Sequence, residues 1–305
     1  MRTPCAAVAI ALLTAALATA GCGLGPGEDV GAVELTVTRD YGAVPVLHRQ
    51  LDDLTESDTV MRALEGSADI STRYGGGFVQ SIEGLEAQES VSGSLDWLYY
   101  VNGVEATVGA ADYKLRGGES VWWDYHDWSA VAAGVPAVVG SWPQPFLGGY
   151  DGKRHPVAVE CLGGGEACAA AREKLEDAGV AVAAGVSDDA IRMLVGPWQR
   201  LREDPAAAQI EDGPRASGVF ADFQPQGGDY VLRGFGEDGE AESTFGATAG
   251  LVAATRRFDA PPVWVVTGPS AAGVQAAAEL LDAADLRDRY AVAVEAGERT
   301  PLPLR

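Results

Sequence analysis

The sequence predicts an α+β protein in which a small sheet packs on one helix and is followed by an α/β unit with a mixed sheet. Three observations carry this reading. Residues 33–130 hold short β-rich runs around a single helical period, residues 155–305 alternate strand and helix patterns, and a Pro- and Gly-rich linker, 131–154, separates the two.

The chain begins with a segment that reads as an export signal. Met1 and Arg2 precede an apolar run from about Ala6 to Ala18, which ends in Thr19-Ala20-Gly21-Cys22. A spanning helix needs about 20 apolar residues, so residues 1–21 are expected to be a removed signal peptide. The segment resembles a bacterial lipoprotein signal, in which the cysteine after Ala-Gly is acylated; Thr19 stands where such signals usually carry a branched aliphatic residue. The resemblance implies lipidation of Cys22 and a cell-membrane location on the extracytoplasmic face. The competing expectation is cleavage after Ala18-Thr19-Ala20, which releases a soluble protein. Residues 22–32, Gly-rich with one proline, would be the tether.

Cysteine usage fits export. With Cys5 in the signal and Cys22 assigned to lipid, Cys161 and Cys168 remain and are expected to form a disulfide. A metal site wants four ligands, and this spacing has no nearby histidine. The net charge of −22 argues against a nucleic-acid partner, because phosphate backbones need a basic footprint and no basic cluster exceeds Arg256-Arg257.

From Val33 the elements follow in order. "VELTVTRDYG" and "VPVLHRQL" read as strands joined by a glycine turn. Val60, Met61, Leu64 and Ala68 recur at helical spacing behind a cap expected at Ser57-Asp58, with Gly66 weakening the end. "TRYGGGFVQSIEGL" and "LDWLYYVNGVEATVG" continue the sheet, and Asn102-Gly103 signals a type I′ hairpin because both positions tolerate positive φ. "ESVWWDYHDW" is the last strand.

Residues 33–130 resemble the DUF4430 domain. The resemblance rests on the helix around Met61 and Leu64, "GGGFVQSIEGL" at 75–85, "WLYYVNG" at 97–103 and "GAADYKLRGGESVWWDY" at 109–125, in that order. It implies the β-grasp fold found at the C-terminal end of transcobalamin and intrinsic factor. It also implies bacterial surface proteins, some associated with vitamin uptake, and makes a cobalamin-like ligand an expectation. The helical barrel that accompanies this domain in the vitamin carriers has no counterpart here.

Eight Trp and Tyr residues fall between 96 and 128. Strand alternation places Trp97 and Tyr99 on one face and Leu98 and Tyr100 on the other; Trp123 and Tyr125 share a face opposite Trp122, Asp124 and His126. One face must be core. The other is expected either to stack on a planar ligand or to dock against the second unit, with Tyr99, Tyr100, Asn102, Tyr113 and Trp122 as candidate ligand contacts. Asp124 and His126 could ligate a metal, but two ligands with Asp127 on the other face make a weak set. In the linker, Trp142, Phe146 and Tyr150 are expected to press into the domain interface, with proline holding the chain extended; a polyproline-type ligand segment is the alternative.

In the second unit "PVAVECL", "VAVAAGV", "PPVWVVTG" and "YAVAVEA" read as strands and "GEACAAAREKLEDAG" and "SAAGVQAAAELLDAA" as helices, two β-α-β passages that look like a diverged repeat. "IRMLVGPW", "SGVFADF" and "DYVLRGFG" add strands. No catalytic residue is assigned. Gly268-x4-Gly273 has P-loop spacing but Val274 and Gln275 replace the phosphate and Mg²⁺ residues. Ser270 lacks the second glycine of a nucleophile elbow and has no histidine after it. "LGGGEAC" breaks the dinucleotide pattern at Cys168, and Asp188-Asp189 and Glu237-Asp238 read as turns. The sequence therefore points to a non-catalytic, lipid-anchored binding protein whose partner is a small molecule or an envelope protein. A structural envelope module and a cell-wall hydrolase are the alternatives.

Overall fold

Alternation in the first strand decides the architecture. In the computed structural model, which describes residues 27–90, 93–131, 134–163 and 165–305, Val33–Arg39 (β1) puts Val33, Leu35 and Val37 into one core and Thr36 and Thr38 on the opposite face. The signal segment and Cys22 lie outside the described residues. Val44–Leu51 (β2) returns antiparallel to β1 through a turn where Asp40, Tyr41 and Gly42 all have positive φ.

Val60–Glu65 (α1) follows. Its cap is Thr59, whose side chain accepts from Arg62 N, and not Ser57-Asp58; Asp58 Oδ2 is held one turn earlier, 2.8 Å from Thr55 N. Val60, Met61 and Leu64 bury against the sheet as their spacing requires. Ile70–Arg73 (β3), Phe78–Ile82 (β4) and Leu85–Glu86 (β5) make a small separate sheet. Gln88–Ser90 (β6), Gly93–Val101 (β7), Val104–Glu105 (β8) and Ser120–Asp127 (β9) complete the main one, in the order β2-β1-β9-β7-β6 with β8 on β7. β9 runs parallel to β1 and antiparallel to β7. Asn102 and Gly103 have φ of 54° and 73°, the left-handed pair that the hairpin demands. A side chain at Gly103 would also meet Val138 O at 2.8 Å.

The second unit is a six-stranded mixed sheet. Val157–Cys161 (β10), Ile191–Pro197 (β11), Ala221–Gln226 (β12), Asp229–Phe235 (β13), Ala241–Thr244 (β14), Gly250–Thr255 (β15), Val263–Gly268 (β16), Ala291–Glu295 (β17) and Glu298–Leu302 (β18) supply the strands. Their order is β10-β11-β16-β15-β17-β18, with β12-β13-β14 as a separate antiparallel sheet. β10, β11 and β16 are mutually parallel, and β15 is antiparallel to both β16 and β17. Gly165–Asp177 (α2) joins neighbouring strands, whereas Ala271–Glu279 (α5) carries the chain from β16 across β15 to β17, so the two β-α-β passages differ in connection. Trp198–Leu201 (α3), Pro214–Ser217 (α4) and Ala283–Leu286 (α6) are single turns.

Two expected elements differ. "VAVAAGV" makes only one bridge, Val182 to Val157, because it enters from the left-handed turn at Gly179 and soon reaches the loop at Asp188-Asp189. The long helix expected over 270–284 breaks after Glu279: Leu280 and Leu281 turn into the core, and Asp282 starts α6 by accepting from Asp285 N.

Both faces of the mixed sheet are covered. Along β16, Trp264 and Val266 face α2 and α5, where they meet Phe146, Tyr150 and the half-buried Trp142 of the linker; Val263 and Val265 face the other way. On that second face lie Tyr41, Tyr100 and Trp122 of the first unit, in one cluster with Phe220, Leu251 and Tyr290. The outer face of the first sheet is therefore covered by the second unit. The linker straps them together: Val138 N donates to Gly103 O and Val139 N to Tyr290 O. Linker residues 141–148 form successive turns, not an extended run, because Ser141 O and Pro143 O accept from Gln144 N and Phe146 N.

Candidate functional site

The clustered rings have three fates. Trp97, Trp123, Tyr125 and Tyr113 belong to the core over α1. Tyr100 and Trp122, on the opposite face, are almost fully buried beneath the second unit. Tyr99 is half-buried, stacked on Trp123 with centroids 4.8 Å apart and its hydroxyl donating to Val108 O, and Trp128 stays 38% exposed.

Beneath the second unit the buried contacts are polar as well as aromatic. Asp124 accepts from Thr38 Oγ1, from the backbone N of Tyr41 and Gly42 at 2.9 Å each, and from Tyr290 OH at 3.4 Å; His126 Nδ1 lies 2.8 Å from its Oδ2. Tyr41 stacks on His126, and burial followed by the Asp124 charge holds the Tyr290 hydroxyl well above its ordinary range. Asp124 and His126 thus fasten the two units, and Tyr290 comes from the far end of the chain. Among the described residues no group of three His, Cys, Asp or Glu side chains is placed to hold a metal ion.

The other candidate contacts also have internal partners. Asn102 Nδ2 donates to Gly149 O at 2.8 Å and its Oδ1 accepts from Ser120 N at 2.9 Å, fixing the hairpin against the linker. Tyr113 OH donates to Glu119 Oε1 at 3.1 Å while its ring borders a 280 Å³ hollow beside Lys114 and Arg116. Of the five, Tyr99 lines a surface opening bordered by several aromatic residues.

That opening is a groove of 340 Å³. Phe78, Tyr99, Trp128, Asp96, Leu98 and Glu105 line it, together with Trp97, whose ring packs in the core over α1. Phe78 opens β4 after the glycine triplet and is 44% exposed. Glu105, Ala106 and Gly134 also border a larger, 500 Å³ cleft between the units, whose far side carries Arg215, Arg256 and the exposed Phe258. Glu105 forms the wall between them. Burial raises its carboxyl from 4.5 to about 7, against the lowering effect of Arg256. Gly134, at φ +81°, lets the carboxylate lie close, since a Cβ there would stand 2.8 Å from both Glu105 oxygens. Arg256 is itself fixed, with Nε 2.8 Å from Ala260 O and its guanidinium 5.1 Å from the Tyr150 ring centroid. Phe78, Glu105, Trp128 and Arg256 escaped the sequence reading; the one available signal was Phe78, an apolar residue opening a strand after three glycines.

The residues weighed for catalysis are occupied structurally. Ser270 caps α5, its Oγ accepting from Gly273 N at 3.3 Å, and Gly273 lies where a Cβ would stand 1.9 Å from Ala249 O. His155 stacks on Tyr150, and His48 pairs with Thr36 and Glu34. Cys161 and Cys168 form the expected disulfide, with Cα atoms 5.7 Å apart, closing the turn from β10 into α2. Among the described residues no helix is long and apolar enough to cross a membrane.

Comparison with known proteins adds one assignment. Residues 57–127 match the family described as a domain of unknown function, DUF4430, so the chain carries that domain. The matched stretch runs from the turn before α1 to the end of β9; β1 and β2, expected within it, lie outside. Among solved structures, a protein of Ruminococcus gnavus ATCC 29149 described as a candidate metal binding protein is similar at 14% identity, over 32% of this chain and 97% of that one, with a TM-score of 0.25. No curated protein matches.

Proposed function

We propose that this protein is a non-catalytic, lipid-anchored binding protein of the extracytoplasmic face, held at the membrane through Cys22, and that it presents a small organic ligand to an uptake system for vitamins or cofactors. The observation that carries the binding reading is the ring-lined groove that adjoins the arginine-lined cleft through Glu105 and Ala106. Convergent rings with a few placed polar groups, one of shifted pKa, are what ligand sites look like. At 340 Å³ the groove holds a ligand of one or two rings, smaller than a corrinoid macrocycle, which would have to spread over the cleft as well.

The test is native mass spectrometry of the soluble chain beginning after Cys22, made in its native host, followed by titration with corrinoids and with one- and two-ring compounds while tryptophan fluorescence is recorded. A stoichiometric ligand that is lost in Trp128→Ala supports the reading. An apo mass, with no compound perturbing Trp128, overturns it. The second reading, an envelope protein-interaction module, is favoured by Tyr74, which stands 86% exposed beside Phe78 at the β3–β4 hairpin; crosslinking to an envelope protein lost in Tyr74→Ser supports that reading.

A further inference from the structure

We infer that the cleft between the two units is a second ligand site, for a small aromatic carboxylate, with Arg215 holding its anionic end and Phe258 covering its ring. The inference goes beyond the groove and does not depend on what the groove holds.

Three parts of the chain converge on this 500 Å³ opening. Residues 105–107 come from the first unit, Gly134 and Pro136 from the linker, and the second unit supplies Arg215 on α4 with Arg256, Phe258 and Asp259 between β15 and β16. Junctions between units are where ligand clefts preferentially form.

The charges around the cleft are unequally answered. Arg256 acts on Glu105, lies 3.6 Å from Asp151 Oδ2 and gives its Nε to Ala260 O, so that guanidinium is engaged within the protein. Arg215 is exposed, and among the described residues its side chain makes no hydrogen bond or ion pair. Arg257, next to the cleft, meets only the Phe258 ring, with its guanidinium 5.4 Å from the centroid. Against these two guanidinium groups stands one lining carboxylate without a side-chain partner, Asp259. The local excess is positive, although the chain as a whole carries −22. At physiological ionic strength charges beyond about 8 Å are screened, so the groups at the cleft decide what enters it. A guanidinium offers paired N–H donors that match a carboxylate. Asp259 limits the guest to one negative charge, because a dianion would meet stronger repulsion there.

Phe258 supplies the apolar part. The turn closed by Ala260 N and Arg257 O holds residue 258 at φ 52°, a left-handed position that glycine fills without strain and a bulky side chain seldom takes. The ring gains no core contact in return, since it is 85% exposed. A strained residue that holds an aromatic ring in water at the mouth of a cleft is suited to stack on a guest.

The test is isothermal titration of benzoate, phenyl phosphate, benzyl alcohol and benzylammonium into the soluble chain beginning after Cys22, and into its R215A, F258G and W128A variants. Benzoate is expected to bind at least about tenfold more tightly than the alcohol or the ammonium, and more tightly than phenyl phosphate. R215A should weaken benzoate about tenfold while keeping the parent's urea midpoint, because that side chain has no internal partner to lose. F258G should weaken it several-fold and unfold at an equal or higher midpoint, since glycine suits the turn. W128A, which alters the groove, should bind benzoate as the parent does. Benzoate binding that is absent, matched by the alcohol or the ammonium, or unchanged in R215A overturns the inference and leaves the groove reading untouched. Benzoate binding lost in W128A and kept in R215A places the carboxylate in the groove, which overturns the cleft site and supports the groove. Tighter binding of phenyl phosphate overturns the limit to one charge, and unchanged binding in F258G overturns the role of the ring.

Discussion

Replacing Glu105 by glutamine should change how stability depends on pH. In the folded protein the carboxyl is raised to about 7, from an ordinary 4.5, chiefly because burial disfavours its charge. A raised folded value means that the native state holds the proton more tightly than the unfolded chain. The associated stability is fully present below about pH 4.5 and is lost as pH rises through about 7. At 1.36 kcal/mol per pH unit the difference amounts to roughly 3 kcal/mol by pH 8. Glutamine keeps the shape and cannot ionise, and Arg256 keeps Ala260 O at 2.8 Å and Asp151 at 3.6 Å, so the substitution orphans no cation. Glu119, Glu237 and Asp288 are also raised by burial, so the wild-type curve alone is a sum. The informative quantity is the wild-type-minus-variant difference in unfolding free energy, from urea denaturation at intervals between about pH 5 and pH 8.5. It should move in the variant's favour by roughly 2–3 kcal/mol across that range. A difference that stays constant with pH refutes the argument that Glu105 is a desolvated wall between groove and cleft.

Other substitutions test the remaining structure. Asp124→Ala strips the acceptor from Thr38, Tyr41, Gly42, His126 and Tyr290 at once, and should cost more than about 3 kcal/mol in denaturant unfolding. Gly273→Ala would drive a methyl into Ala249 O and should lower the melting temperature by several degrees, whereas Gly66→Ala, with φ −73° and its nearest contact at 3.4 Å, should be neutral or stabilising. Replacing Cys161 and Cys168 together by alanine should cost about 2.5 kcal/mol, read from the denaturation midpoint, because the loop they close is short.

Local pattern made much of this fold readable. Period-two alternation sorted the rings of β7 and β9 correctly into two faces, helical spacing at Val60, Met61 and Leu64 marked the buried side of α1, and Asn102-Gly103 marked the turn. Cap and helix ends were less legible, since Thr59 and Asp58 are both good caps and only the surrounding backbone selects between them. The groove was the least legible feature. Phe78, Tyr99, Glu105 and Trp128 come from four places in the chain, and no local period connects them.

The sequence by itself determined that β9 has two ring-bearing faces, that Cys161 and Cys168 pair, and that a mixed sheet follows the first domain, because each of these depends on residues close together along the chain. Only the tertiary structure decided what covers the second face. Tyr100, Trp122 and His126 were as suited to a ligand as to a protein surface, and it is Tyr290, brought back by β17, that closes over them. A strand's pattern records which side chains leave water; what they meet there depends on a pairing far along the chain, and in this protein that pairing leaves Phe78, Tyr99 and Trp128 at the surface.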